Sequence, residues 1–148
     1  MTYVISKKKK DEFNKIFFFI DDNNILLNIE LFRKLFESDY YLYFLEYIKK
    51  KIDEIICHNY NGYFYLHINI ATFVISDLYY YDKILLFAKI LHEYTNKLIS
   101  IYIYESSYIF TNLINMINNS LSFEVDKKII FENKENFNSK FNKIYVCM

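Results

Sequence analysis

One glycine, no proline and no tryptophan occur in these 148 residues, and each scarcity removes either a class of function or a kind of signal. Phosphate-cradling loops need glycines so that backbone N–H groups can approach an anion, so Gly62 alone excludes both the dinucleotide fingerprint and the P-loop. With no proline to mark chain reversals, turns have to be read from Asn and Asp clusters, whose short side chains bond their own backbone. The heavy use of Ile, Asn, Lys, Tyr and Phe reads as an AT-biased genome, such as that of a protist, an endosymbiont or a large DNA virus.

Thiols and imidazoles are equally sparse. Cys57 and Cys147 lie far apart with no CxxC pair, which reads as two reduced thiols in a cytoplasmic or virion-interior setting. His58, His67 and His92 show no HxxxH spacing, so neither a metal nor a cofactor is expected. Cys57 and His58 are adjacent and read as structural residues at a helix end. Cys147 sits at the end of the sequence, where the geometry of a nucleophile is hard to hold. Ser106-Ser107 follows a strand and precedes a helix, as a nucleophile elbow would, but lacks the flanking glycines. Ser107 therefore reads as an N-cap, and Asp21-Asp22 as a turn pair. No catalytic set emerges, and the expectation is a binding protein that is not an enzyme.

Net charge is also missing: 18 Lys and Arg balance 18 Asp and Glu. No long-range field favours nucleic acid, and self-association is promoted. The one dense basic run, Lys7 to Lys10, reads as a solvated strand edge or tail, with contact to anionic lipid or a partner as the alternative. Two stretches lack charge, Ile55 to Ser76 and Ser106 to Phe123. Each carries Asn residues, and the first also His58 and His67, which argues against membrane spans.

What is abundant is apolar. Hydrophobic residues make up 53% of the chain and aromatics 21%, ample for one domain with a buried core. Lys15 to Ile20 and Ile25 to Asn28 flank Asp21-Asp22-Asn23-Asn24, the pattern of a hairpin. Ile29 to Phe36 fits a helix. Ser38 or Asp39 then caps a long helix, reaching about Cys57, with Leu42, Leu45, Ile48, Ile52 and Ile55 on one stripe. After the break at Gly62, Tyr63 to Val74 reads as a central strand covered on both faces. Asp77 caps the next helix, around Asp82 to Tyr94, where Tyr80, Ile84, Phe87, Ala88 and Leu91 align. Leu98 to Tyr104 is a second buried strand, and Ser107 to Leu121 a helix with an apolar stripe and an uncharged back. Lys128 to Phe131 closes as a strand, and Phe137, Phe141 and Ile144 mark a last helix. This alternation predicts a single α/β domain over 1–148, a two-layer or three-layer sandwich with a mixed, partly parallel sheet and right-handed helical crossovers.

Taken together, the segment from Tyr94 through Thr95, Asn96 and Lys97, then Leu98 to Tyr104, and on through Ser106 and Ser107 to Phe110 resembles the core of the CRAL-TRIO lipid-binding domain family. In that family a helix ends in a Tyr-Pro-Glu-like turn, and a strand, an Asn-Ala-Pro-like corner and a Phe-bearing helix follow. Leu113 to Leu121 is similar to the family's gate helix, Lys128 to Phe131 to its Lys-Ile strand, and Gly62 to Phe73 to its central strand. A related STAS-like topology, found in domains that bind proteins, is matched by Ile68 to Leu121. The resemblance implies a non-catalytic domain that binds a lipid or other hydrophobic ligand, or docks on a membrane surface or a protein. The implied pocket lies between the sheet and the helix from Ser107 to Leu121, which would act as a movable lid. Its expected lining is Phe73, Phe87, Phe110, Leu113, Ile114 and Ile117. The alternative is a structural or assembly subunit of a virion or organelle complex that keeps the fold with a filled pocket.

Sixteen Tyr and fifteen Phe exceed what one small core can bury. Tyr40, Tyr41, Tyr79, Tyr80 and Tyr81 are therefore expected at an exposed interface, suited to a homo-oligomer or a protein partner.

Overall fold

The helix that opens the fold replaces what the sequence reads as a basic tail. The computed structural model describes residues 6–21, 23–58, 61–105, 107–121 and 125–147, and side chains at 125, 126 and 142–147 are outside the description. Helix α1, Lys7–Ile16, starts where Ser6 Oγ accepts from Lys9 N at 3.2 Å. Its lysines face water while Phe13 and Ile16 are buried. The hairpin that follows is correspondingly shorter than expected, β1 Phe17–Phe19 and β2 Asn24–Leu27, antiparallel with Phe17 opposite Leu27. Its turn is tied by Asp21 Oδ1, which accepts from the N–H groups of Asn23 and Asn24 at 3.1 Å each. Asp22 lies outside the described residues.

Asn28 caps α2, Ile29–Lys34, with its Oδ1 accepting from Leu31 N at 3.2 Å. Helix α3, Tyr41–His58, buries Tyr41, Phe44, Leu45, Ile48, Ile52 and Ile55. Leu42, expected on that stripe, is 62% exposed, because the buried face is set by Tyr41, one residue before it, and Phe44, two residues after it. Gly62 has φ +68, and a Cβ there would meet nothing closer than 3.8 Å, so backbone angle is what requires glycine.

Strand β3 is Phe64–Asn69, ending earlier than the apolar run because Asn69 Oδ1 accepts from Ala71 N at 2.8 Å and turns the chain. A 3₁₀ turn over Ile75–Tyr80 leads into α4, Tyr81–Glu93, then β4, Leu98–Tyr104. Asp77 does not cap α4: it lies inside the 3₁₀ turn, and its Oδ2 accepts from Val74 N at 2.8 Å. Glu105, with φ 61, makes the sharp corner after β4 without a glycine. Ser107 Oγ accepts from Phe110 N at 3.4 Å at the start of α5, Tyr108–Leu121, while Ser106 lies outside the described residues. Strand β5, Ile129–Glu132, and α6, Lys134–Cys147, complete the order.

The sheet runs β1-β2-β3-β4-β5, with β2 to β5 all parallel. Strands that neighbour each other in chain order and are joined by right-handed crossovers send every crossover to one face. Burial follows that rule. Ile25, Leu27, Leu66, Ile68, Ile101 and Ile103 share one core with side chains of α1 to α5. On the other face Phe18, Leu26 and Tyr104 pack with Phe137 and Phe141 of α6. Among the described residues the fold is an α/β sandwich with five α-helices in front of a mixed, mostly parallel sheet and one behind it.

Candidate functional site

At the carboxyl ends of β3 and β4, under α5, the front core is not filled. A void of about 80 Å³ is lined by Ile68 and Ile103 from the strands and by Phe73, Phe87, Phe110, Leu113, Ile114 and Ile117 from the elements above them. All six side chains expected at a pocket thus meet around one space. Phe73 and Phe110 close its outer side edge-to-face, with ring centroids 5.7 Å apart. Space bounded almost wholly by carbon favours small apolar guests.

The polar groups at this void are Arg33 and Asp77. Arg33 is the chain's one arginine. Its Nη2 donates to the Thr72 carbonyl at 2.5 Å, and its Nε lies 2.9 Å from Asp77 Oδ1. The Nε–H is not aligned for a hydrogen bond despite that distance, so the pair is held chiefly by charge. Asp77 is buried, at 4% exposure, and a carboxylate there requires a cation.

The tyrosine clusters divide. Tyr79 is 83% exposed and Tyr40 44%, with Lys9 Nζ 4.1 Å above the Tyr40 ring. Tyr41 does not belong to an exposed surface: it is 1% exposed and its hydroxyl donates to the Lys83 carbonyl at 2.5 Å. Burial, and then Asp82, pushes its phenol pKa up. The reason is helical phase, since Tyr41 and Phe44 share the face that packs on Phe32 and Phe36. Tyr80 is half-buried, and its hydroxyl donates to Glu37. Tyr81 is half-buried too and ties α4 to α5, donating to the Met116 carbonyl at 2.9 Å and sharing a hydrogen bond with Ser120 Oγ at 2.6 Å. Both tethered residues are α5 groups, so Tyr81 pins that helix over the cavity.

Behind the sheet lies an arrangement the sequence does not announce. His67 on β3 is 5% exposed, stacked on Tyr102 with ring centroids 4.8 Å apart. Asn24 Nδ2 donates to Asp21 Oδ1 at 2.8 Å, which turns Asn24 Oδ1 towards His67 Nε2, 2.7 Å away. That nitrogen must carry the proton, so Nδ1 accepts from the Tyr104 hydroxyl at 2.8 Å. A single directed chain, Tyr104 to His67 to Asn24 to Asp21, therefore ties β4, β3, β2 and the hairpin turn. Burial, and then Lys140, lowers the His67 pKa to about 4. His67, Arg33 and Asp77 were invisible as site residues because their partners stand on other strands and helices. The one available signal was the solitary arginine among so many lysines.

Cys57 is an exposed thiol near the end of α3, and the side chains of Cys147 and Ile144 lie outside the described residues. Among the described residues no three His, Cys, Asp or Glu side chains gather as a metal site would need, and no helix is long and apolar enough to cross a membrane. No family model matches the chain, and neither do any of the curated proteins or solved structures with which it was compared.

Proposed function

We propose that this chain is a non-catalytic binding domain that receives an apolar group in the void beneath α5. The observation that carries the reading is that void: an almost wholly carbon-lined space between the parallel strands and the helix above them, with the apolar, concave lining of a small-molecule site. A lipid or hydrophobic molecule, as the CRAL-TRIO resemblance implies, enters by displacement of α5, whose ties are the Phe73–Phe110 contact and the Tyr81 hydrogen bonds. At about 80 Å³ the space is smaller than the roughly 150 Å³ of an apolar cavity that admits benzene, so without movement of its walls it holds no more than a short alkyl segment or a small ring. A longer chain therefore requires the helix to lift. The exposed Val74, Ile75 and Tyr108 beside Phe73 and Phe110 supply an apolar rim for a membrane or protein surface to meet.

The smallness of the same void supports a second reading, an assembly subunit whose pocket is nearly filled. Methyl-resolved NMR with benzene and with dissolved xenon separates the two. Binding predicts saturable shifts at the methyls of Ile68, Ile103, Leu113 and Ile117, and none at Ile48 or Ile52 in the distant part of the core. Leu113→Asp places a charge in the void and should abolish uptake. Because that variant risks unfolding, Ala88→Leu, which fills the space with carbon, should abolish uptake while the fold is kept. Absence of shifts in the native protein, or unchanged uptake by Ala88→Leu, removes the ligand reading.

A further inference from the structure

Strand β5 is an edge of the sheet, and its sequence with the preceding lysine is Lys128-Ile129-Ile130-Phe131-Glu132. Read against its own reverse about Ile130, the segment is complementary at every position. Lys128, which ends a 3₁₀ turn over Val125–Lys128 and leads into the strand, falls opposite Glu132, with Ile129 opposite Phe131 and Ile130 opposite itself. We propose that β5 is a homodimer interface, in which two copies pair antiparallel about a two-fold axis through Ile130 and join their sheets into one.

Backbone geometry selects the same register independently. The carbonyl of Glu132 accepts from Glu105 N at 3.2 Å, so the polar groups of Glu132, and of Ile130 two residues away, turn inward to β4. Those of Ile129 and Phe131 turn outward. An antiparallel partner must set outward residues opposite outward residues, and the pairing of Ile129 with Phe131 of the second copy does so. The neighbouring allowed registers fail on side chains. One sets Lys128 opposite Lys134, and the other sets Lys127 opposite Phe131.

Side-chain exposure agrees with a surface awaiting cover. Ile130 is 40% exposed and Phe131 53%, and they lie on opposite faces of the strand, so a docked copy covers both. Exposed edges are ordinarily blunted by charge or by a covering element. Here the charges at the two ends of the segment are opposite in sign, so they repel parallel or out-of-register copies and attract this one. Lys128 Nζ donates to the Leu98 carbonyl of β4 at 2.8 Å and Glu132 accepts from the Asn136 amide, and each keeps further hydrogen-bonding capacity for a partner. Zero net charge adds no opposing long-range repulsion.

The test is a charge swap followed by sedimentation velocity across the micromolar range, with circular dichroism to check folding. The native protein should form a dimer, and Lys128→Glu or Glu132→Lys alone should weaken it about 10- to 30-fold, because two cross-strand pairs turn repulsive at once. The double variant K128E/E132K should restore the dimer, and mixing the two single variants should yield a heterodimer. Lys89→Glu, an exposed reversal on α4, should change nothing. A native protein that stays monomeric, assembly beyond the dimer, single variants no weaker than Lys89→Glu, or a double variant that fails to recover would overturn the proposal.

Discussion

Lowering the pH should unfold this protein through one buried imidazole. His67 is 5% exposed and its pKa falls from 6.5 to about 4 in the folded chain. The folded pKa lies below the unfolded one, so between these values the unfolded chain takes up a proton that the native state refuses. Stability is then fully present above about pH 6.5 and is lost as the pH falls towards 4. A shift of this size corresponds to about 3 kcal/mol in total, of which about 1.5 kcal/mol should disappear between pH 6.5 and 5, before most carboxylates titrate. That is a large part of the ~5–15 kcal/mol that typically holds a domain together. The structural cause is the directed chain through the ring: a proton on Nδ1 removes the acceptor for the Tyr104 hydroxyl and places a cation near Lys140. Urea titrations followed by far-ultraviolet circular dichroism, at half-unit steps from pH 7.5 to 5, measure the loss directly. His67→Gln, which keeps hydrogen-bonding groups but does not titrate, should be less stable at pH 7 and nearly flat across this window. Parallel curves for the native protein and His67→Gln would refute the reasoning.

Two further outcomes follow from backbone and charge. Arg33→Met should cost about 3 kcal/mol in chemical denaturation because it strands the buried Asp77 carboxylate, whereas Arg33→Met with Asp77→Leu should recover most of the loss; equal destabilisation by single and double variants would show that the pair is not coupled. Gly62→Ala should lower stability by about 1 kcal/mol through its left-handed φ alone, with no change in the cavity's guest binding; a neutral result would mean that the turn relaxes.

Elements whose burial is decided within their own segment were legible in the sequence. The stripe Ile84, Phe87, Ala88 and Leu91 gave α4, and the β-branched run of β4 gave its central strand, because period and face are local properties. The lining of the void was legible for the same reason: Leu113, Ile114 and Ile117 could face only one way. Helix α1 was hidden because only Phe13 and Ile16 dock, and the lysines around them carry no periodic signal. β3 was overextended because Phe73 remains buried after the last bond to β4, from Ile70 N to the Tyr104 carbonyl, so hydrophobicity outlasts hydrogen bonding. Tyr40 and Tyr41 are identical in composition terms and opposite in fate, a difference of about 100° in helical phase. The chain through His67 needs three strands and a turn in register, information that no single window contains.

The consecutive strand order has a kinetic consequence. Each parallel strand docks on the one made just before it, so the sheet can lengthen from the amino end in the order in which a ribosome delivers it, with modest loop closures at every step. The exception is the back face, where Phe18 of the first strand meets Phe137 and Phe141 of the last helix. That contact closes a long loop of chain, and α6 can reach it only after the five strands before it have been synthesised. Until then the rear of the growing sheet is bare, so it is the side on which a nascent chain is most open to chaperones and to misassociation.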